Sequence, residues 1–323
     1  MTVKEQVLQA LEEHKGSTLS GEALAEGMGV SRAAVHKAIK ALREEGYRIE
    51  AVTNRGYSLA ENSDMLSAQG IAAHLAPELS RLPIHVYKTV DSTNNVAKKL
   101  ALEGAEHGTS ILAFHQSCGK GRLGRTFISP ANTGIYMSVL LKPSFDMSHS
   151  VLITTAASVA VVRAIEKVCS LKPEIKWVND IYESGKKVCG ILTEAITDFE
   201  TGRIEYLILG IGINCSTKGF SEDLLNIAGA LEGRFSKNQL AAEVLNQLLP
   251  LVARLEERTF IEDYRTHSMV IGKTVKVYKG GYEEGKTAPL ARVLDIDENG
   301  GLQVLYSDGS QETLSTGEIS IRL

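Results

Sequence analysis

CGKGRLGRTFISP, from Cys118 to Pro130, is the stretch whose reading decides the fold. Gly119, Gly121 and Gly124 satisfy the spacing G-x-G-x-x-G, which in a doubly wound α/β protein forms the turn that holds a dinucleotide pyrophosphate. That reading needs a strand before the glycines and a helix opening at the last of them. The strand is present as SILAF. The helix is not: RTFISPANTG carries a proline, an Asn-Thr-Gly turn and β-favouring residues. Lys120, Arg122 and Arg125 are also threaded between the glycines, whereas a dinucleotide turn relies on backbone N–H groups and a helix dipole. No Gly-x4-Gly-Lys-Ser/Thr loop occurs. Taken alone, the stretch is either an anion-covering loop built on side-chain cations or a charged surface loop.

On the N-terminal side of this loop the pattern is helical. Val3, Val7, Leu8 and Leu11 recur at helical spacing over residues 2–14, and Gly16-Ser17-Thr18 ends that run. A short helix carries Ala23, Leu24 and Ala25. Gly27-Met28-Gly29 is a tight turn, and Ser31 is a good N-cap for a helix from Arg32 to about Glu45, stopped by Gly46. YRIEAV, the turn TNRG and YSL read as a β-hairpin. Three helices, a tight turn before the third and then a hairpin are the layout of a winged helix-turn-helix over residues 1–62. In such a module the second helix of the motif places its N-terminal residues at base edges. Here these are Ser31, Arg32, His36 and Lys37, with Arg55 at the tip of the wing. Residues 31–55 also hold Lys40, Arg43 and Arg48 against Glu44, Glu45 and Glu50, a modest basic tilt that suits DNA. A winged helix used for protein contacts is the alternative.

The polar segment AENSDMLSAQG crosses a domain boundary. Residues 63–270 alternate less regularly: candidate strands IHVYKTV, TSILAFHQ, GIYMSVLL, EIKWVNDIYES, KKVCGILTEAI and EYLILGIGIN, with helices at 93–103, about 148–169 and about 237–257. Strands in adjacent runs favour an α+β fold with a mixed sheet over a doubly wound parallel one. From residue 271 to 323, KTVKVYKG, ARVLDIDE, GLQVLYSD and ETLSTGEI are short strands joined by turn residues. They read as a small SH3-like β-barrel.

Composition narrows the class further. The chain has 323 residues, 43% hydrophobic and 23% charged, enough for two or three soluble domains. Its net charge of -4 gives no global basic field, so any nucleic-acid binding must be local. The N-terminus lacks the apolar stretch of a signal peptide, and the richest apolar run, VLITTAASVAVV, is interrupted by Thr and Ser, so no membrane association is expected. Cys118, Cys169, Cys189 and Cys215 form no C-x-x-C pair and sit at no zinc spacing with histidine. A reduced, cytoplasmic protein with no protein-built metal site is expected.

Four further segments carry chemistry. DSTNN (91–95) sets short polar side chains where a strand gives way to a helix, either as a plain cap or as a reader of a ligand with several donors and acceptors. KWVNDIY (176–182) puts the single tryptophan beside Asn179 and Asp180. KKVCGILTE (186–194) places Lys187 at the mouth of an apolar strand. GIGIN (210–214) has two glycines within a strand, a sign of close approach by a ligand or another group.

DSTN, Gln116 followed by GKGRLGR, KWVND, KVCGIL and GIGIN together resemble the biotin protein ligases in order and spacing. The leading helix-turn-helix resembles the bifunctional subtype that is also a biotin operon repressor. The resemblance implies a central ligase domain that joins ATP and biotin into biotinyl-5′-AMP, with Mg²⁺ accompanying the ATP. It implies transfer of biotin to a lysine of a biotin carboxyl carrier domain. Repression of biotin biosynthesis genes by a homodimer on operator DNA, with the adenylate as corepressor, follows from the same likeness. It assigns biotin to Ser92, Thr93, Asn94, Gln116, Lys120, Gly121, Arg122 and Lys187. The adenylate would go to Arg125, Phe127 and Asn214, and catalysis to Lys187 and Arg122. Asp180 would orient the incoming amine or the Mg²⁺. Three positions depart from the family's usual pattern: Lys120 replaces an arginine, Phe127 an aromatic that is often Trp, and Val178 the proline of K-W-P-N-D. Lys keeps the charge without the bidentate fork, and Phe keeps a face for adenine. Two other functions fit part of this reading: a biotin-sensing transcription factor without ligase activity and, more distantly, a lipoate ligase. Lipoate would leave the polar groups of the DSTN region unpaired.

Overall fold

The computed structural model describes residues 1–52, 55–142, 150–197, 204–279, 288–315 and 318–321. The chain divides into two compact units, Met1–Arg81 with Phe235–Glu243, and Leu82–Arg234 with Val244–Leu323.

The first unit opens with α1 (Val3–Glu13), α2 (Gly21–Met28) and α3 (Arg32–Glu44), each started by a hydroxyl that satisfies orphan N–H groups. Thr2 and Glu5 form a reciprocal capping box on α1, Ser20 accepts from Glu22 and Ala23, and Ser31 accepts from Ala34 at 3.2 Å. Gly29 ends α2 in the left-handed conformation, which sets the turn into α3. The periodic apolar residues of the three helices converge: Val7, Leu11, Val35, Ile39 and Leu42 are buried in one cluster with Tyr47, Ile49 and Leu59. The hairpin β1 (Ile49–Val52) and β2 (Gly56–Leu59) pairs Ile49 with Leu59 and Val52 with Gly56, so the expected wing is present. Thr53 and Asn54 of the expected TNRG turn lie outside the described residues. A short α4 (Ala68–Ala72) follows, and Asn238 ties this segment down by accepting from Ser67 N and donating to Met65 O.

The second unit is built on a seven-stranded sheet. It contains β3 (Ile84–Val90), β4 (Ser110–Gln116), β5 (Gly134–Leu141), β6 (Glu174–Lys176), β7 (Asp180–Glu183), β8 (Lys186–Thr197) and β9 (Ile204–Asn214), in the order β3-β4-β5-β9-β8-β7-β6. Only β3 and β4 run parallel, bridged by α5 (Thr93–Leu102), and the other ladders are antiparallel. The mixed α+β sheet is therefore as expected. The apolar run VLITTAASVAVV lies within α6 (Ser150–Cys169). Leu152, Ile153, Ala156 and Val159 of that helix are fully buried, and its hydroxyls bond back to its own carbonyls, Thr155 to Leu152 and Ser158 to Thr154. It is a core helix, and among the described residues no helix is long and apolar enough to cross a membrane. The short α7 (Glu222–Leu225), α8 (Lys237–Ala253) and α9 (Ile261–Thr266) complete the helical elements.

Three expectations need correction. EIKWVNDIYES is two strands, because the chain reverses over Trp177–Asn179 and pairs Lys176 with Asp180. The helix expected to reach residue 257 stops at Ala253 and gives way to one 3₁₀ turn, Leu255–Glu257. The C-terminal segment forms β10 (Thr274–Tyr278), β11 (Leu290–Ile296), β12 (Leu302–Tyr306), β13 (Gln311–Leu314) and β14 (Glu318–Ile321), ordered β13-β12-β11-β10-β14 and antiparallel throughout. ETLSTGEI thus supplies two strands rather than one, since β14 pairs with β10 and not with β12.

Leu42 is fully buried at the centre of the helix-turn-helix cluster. Leu42→Ala should destabilise that unit by about 2–5 kcal/mol through lost burial and a cavity. Native-state hydrogen exchange of the α3 amides in the full chain measures this, and unchanged protection would contradict the packing described.

Candidate functional site

The cavity begins with three strand positions that carry no side chain. Gly210 and Gly212 are two residues apart on β9, so they share one face of the sheet, and Gly190 on β8 pairs directly with Gly212. A Cβ at Gly210 would collide with the Asn94 amide, and one at Gly212 with the Phe127 ring. The alternate residues Leu209, Ile211 and Ile213 are buried. The GIGIN pattern is therefore the signature of a sheet face cleared for other groups to approach.

Over this floor lies a cavity of about 160 Å³. One wall is the start of α5. Ser92 occupies the N-cap position, yet its hydroxyl does not cap the helix, so plain capping does not account for DSTN. Thr93 donates its backbone N–H to Gln116 Oε1 at 2.8 Å and its hydroxyl to the same oxygen at 3.1 Å, while Gln116 Nε2 donates to Ser129 Oγ at 2.9 Å. Ser92, Thr93, Asn94 and Gln116 all line the cavity.

The opposite wall is the glycine-rich loop. Gly121 N bonds Arg125 O at 2.7 Å and Phe127 N bonds Gly119 O at 2.9 Å, so the loop doubles back on itself as a small hairpin with Arg122–Gly124 as a 3₁₀ turn at its tip. No helix opens here, which excludes the dinucleotide turn. Lys120 Nζ donates to Asn95 Oδ1 at 2.5 Å, and Arg122 Nη1 donates to Asn179 Oδ1 at 3.0 Å. Both of these partners are neutral amides, which orient the cation by accepting from it. Lys120, Gly121, Arg122, Arg125 and Phe127 line the cavity, and Phe127 meets Tyr136 edge to face at 6.4 Å.

The third wall comes from the β6–β7 reversal and the start of β8. Asn179 donates to Ile191 O at 2.8 Å and is thus fixed to β8 while it holds Arg122. Lys187 Nζ lies 2.7 Å from Asp180 Oδ1, and both side chains are partly exposed to the cavity. Among the described residues, no cluster of three or more His, Cys, Asp or Glu forms a metal cage, and Asp180 is the one carboxylate in the lining, already engaged by Lys187. Burial pushes the neighbouring Cys189 thiol well up, which makes it an inert core residue.

Every residue expected at the ligand site lines this cavity except Asn214. Its side chain is buried and its Nδ2 donates to Gly229 O at 3.0 Å, so it braces the segment after β9 instead of facing the cavity. Sequence reasoning assigned no role to Tyr136, Met137, Lys176 or Leu123, which also line it. GIYMSVLL reads as a strand, apolar but for Ser138 and the Tyr136 hydroxyl, and nothing in its pattern marks Tyr136 and Met137 as lining residues.

In the first unit, Arg32, His36 and Arg55 line a shallow cleft with Ser20, Glu22 and Tyr57, between the start of α3 and the wing. Lys37 is exposed on the next position of α3, and Ser31 acts as the cap of that helix. Arg32 of α3 and Arg55 beside the wing therefore share one face of this unit.

Comparison with known proteins agrees with this division of labour. The family model described as HTH domain matches residues 3–58. The Biotin/lipoate A/B protein ligase family matches residues 86–214, and the Biotin protein ligase C terminal domain matches residues 270–322. The bifunctional ligase/repressor BirA of Bacillus subtilis (strain 168) is 34% identical over 97% of each chain. The protein of the same name from Escherichia coli (strain K12) is 29% identical over 95% of this chain and 94% of that one. The solved structure of biotin protein ligase from Aquifex aeolicus in complex with biotin and ATP superposes with a TM-score of 0.62 at 26% identity, over 74% of this chain and 98% of that one. With identity of this extent along nearly the whole of both chains, and with all three matched segments present, the chain belongs to the bifunctional ligase/repressor family of biotin protein ligases.

Proposed function

We propose that the chain activates biotin with ATP, transfers it to a carrier protein, and represses transcription of biotin biosynthesis genes. The observation that carries the catalytic half is the convergence of two unlike sets of groups on one cavity. Uncharged donors and acceptors from α5 and β4 stand at one wall, and the cations Lys120, Arg122, Arg125 and Lys187 at the others. Biotin has an uncharged polar head and an anionic carboxylate, and ATP is polyanionic. In the first step a biotin carboxylate oxygen attacks the α-phosphorus, and the bond to pyrophosphate breaks. In the second, the amine of an acceptor lysine attacks the acyl carbon, the C–O bond to the phosphate breaks, and AMP leaves. Both steps gather negative charge on oxygens near the α-phosphate, where prepositioned cations stabilise it. Arg122, held by Asn179, and Lys187, held by Asp180, are assigned this role. Asp180 sits where it can release Lys187 toward the phosphate and orient the incoming amine. Phe127 on its glycine floor offers a stacking face for adenine. Mg²⁺ would enter with ATP and be held chiefly by phosphate and water, since the lining supplies a single carboxylate.

The acceptor is read as a biotin carboxyl carrier domain, the working location as the cytoplasm, and the repressing form as a homodimer. The chain is read as three modules: residues 1–62 for DNA, 63–270 for chemistry and 271–323 as the C-terminal sheet. A pure biotin sensor would need the polar wall without the cations that face it. Pyrophosphate release on mixing with ATP and biotin separates the two, and its absence would leave the sensor.

Lys187→Ala and Arg122→Ala should each raise the adenylation barrier by about 3–4 kcal/mol with folding intact, read as pyrophosphate release at saturating substrates. Transfer at the wild-type rate would remove that residue from the catalytic set. Arg32→Ala or Arg55→Ala should weaken binding to operator DNA by about 1–3 kcal/mol while biotin transfer continues unchanged. Fluorescence anisotropy on operator DNA and a transfer assay on the same preparation test this, and a joint loss in a folded variant would contradict separate modules. Biotin with ATP should also tighten dimerisation, and by linkage dimerisation should tighten adenylate binding by the same factor. Sedimentation with and without both substrates measures this, and an unchanged dimerisation constant with unchanged operator affinity would leave a ligase with a constitutive DNA-binding domain.

A further inference from the structure

Behind the polar wall of the cavity lies a chain of hydrogen bonds that the resemblance did not indicate. Asn94 Nδ2 donates to Glu194 Oε2 at 2.7 Å, and Lys98 Nζ, one turn further along α5, donates to Glu194 Oε1 at 2.6 Å. Ser138 of β5 is fully buried, with its Oγ 2.6 Å from Asn94 Oδ1 and 2.8 Å from Thr93 Oγ1. Thr93 and Asn94 line the cavity, whereas Ser138 and Glu194 do not. Burial alone would raise the Glu194 carboxyl, but the hydrogen bonds from Lys98 and Asn94 outweigh it and hold it below the usual carboxylate range. It is therefore ionised at neutral pH and accepts only.

That single fact propagates. An acceptor at Glu194 fixes the Asn94 amide with its NH₂ toward β8 and its oxygen toward Ser138. Asn94 Oδ1 cannot donate, so it draws the one proton of the Ser138 hydroxyl. At the other end Gln116 Oε1 is fixed by the Thr93 N–H, cannot donate either, and draws the Thr93 hydroxyl proton. Four oxygens then stand in a row (Asn94 Oδ1, Ser138 Oγ, Thr93 Oγ1, Gln116 Oε1) with three short contacts and two protons. The middle contact, Ser138 to Thr93, lacks one. A ligand N–H directed at Asn94 Oδ1 would free the Ser138 proton to turn toward Thr93 and satisfy the whole row.

We propose that Glu194 is a positioning residue: by orienting the Asn94 amide it makes this wall an acceptor row one proton short, and so selects a ligand that presents N–H donors, as the cyclic urea of biotin does. The inference rests on the biotin reading above and adds two residues that touch no substrate. Gly210 fits the same scheme, since any side chain there would displace the Asn94 oxygen.

The test uses the full-length protein and two ligands, biotin and a cyclic-carbonate analogue in which both ureido N–H groups are oxygens. Glu194→Gln keeps the shape but gives position 194 an NH₂ that can face Asn94 Oδ1, so the Asn94 amide is free to turn over. It should raise KM for biotin by about ten- to a hundredfold, leave kcat and KM for ATP within about twofold, and lower the preference for biotin over the carbonate. Ser138→Ala should move that preference the opposite way, because Asn94 Oδ1 then has the ligand as its donor. A purely structural role would lower the preference in both variants. Should Glu194→Gln fail to fold, Ser138→Ala carries the test alone. An unchanged preference in Glu194→Gln, or a lowered one in Ser138→Ala, overturns the inference while wild-type biotin turnover leaves the functional reading standing. A wild-type protein that neither binds biotin nor releases pyrophosphate with it overturns both.

Discussion

The catalytic unit depends on one stripped patch of β-sheet. Gly190, Gly210 and Gly212 leave bare backbone on one face of the two most extensively paired strands, and that face is where α5, the glycine-rich loop and the start of β8 all meet. Side chains at these positions would contribute to β-sheet packing, and glycine forfeits that contribution and costs backbone entropy as well. The cost is absorbed by the opposite face, where Leu209, Ile211 and Ile213 are buried, and by eight and nine paired positions to the neighbouring strands β5 and β8. A rigid sheet thus supplies a floor flat enough for an aromatic ring on one side and an amide on the other. The site's two chemistries, neutral recognition and charge stabilisation, are separated by which groups reach that floor.

Local signals in the sequence carried the parts of the fold that are themselves local. The cap Ser31, the helical spacing of Val35, Ile39 and Leu42, and the strands IHVYKTV and GIYMSVLL all stand where spacing and cap chemistry put them. KWVND and ETLSTGEI read as continuous strand because only three residues, 177–179 and 315–317, separate the two strands in each. A strand pattern states that a segment pairs, not with what. The same limit hid Glu194 and Ser138. Their significance arises from Asn94, 100 and 44 residues away in the chain, and a charged residue on a half-exposed strand face carries no sign of its partner. Asn214 shows the converse: it sits within a motif of site residues, yet it is absent from the cavity lining and its Nδ2 donates to Gly229 O.

Within the glycine-rich loop, Lys120 and Arg122 are tied to Asn95 and Asn179, side chains on two different walls. A carboxylate in either place would bind the cation more tightly than an amide does. An incoming phosphate, a full anion, can compete with an amide oxygen for either cation.

The chain contains a single tryptophan, Trp177, and it stands in the cavity wall with its indole N–H bonded to Gly300 O at 2.9 Å. All indole emission from the molecule therefore originates at one point that touches both the ligand space and the C-terminal sheet. Its ring is buried and its hydrogen-bond partner lies 123 positions further along the chain, so the emission responds to two separable events, occupation of the cavity and the seating of the Asp297–Gly301 turn. The protein carries its own optical gauge for both, with no background from tryptophan elsewhere.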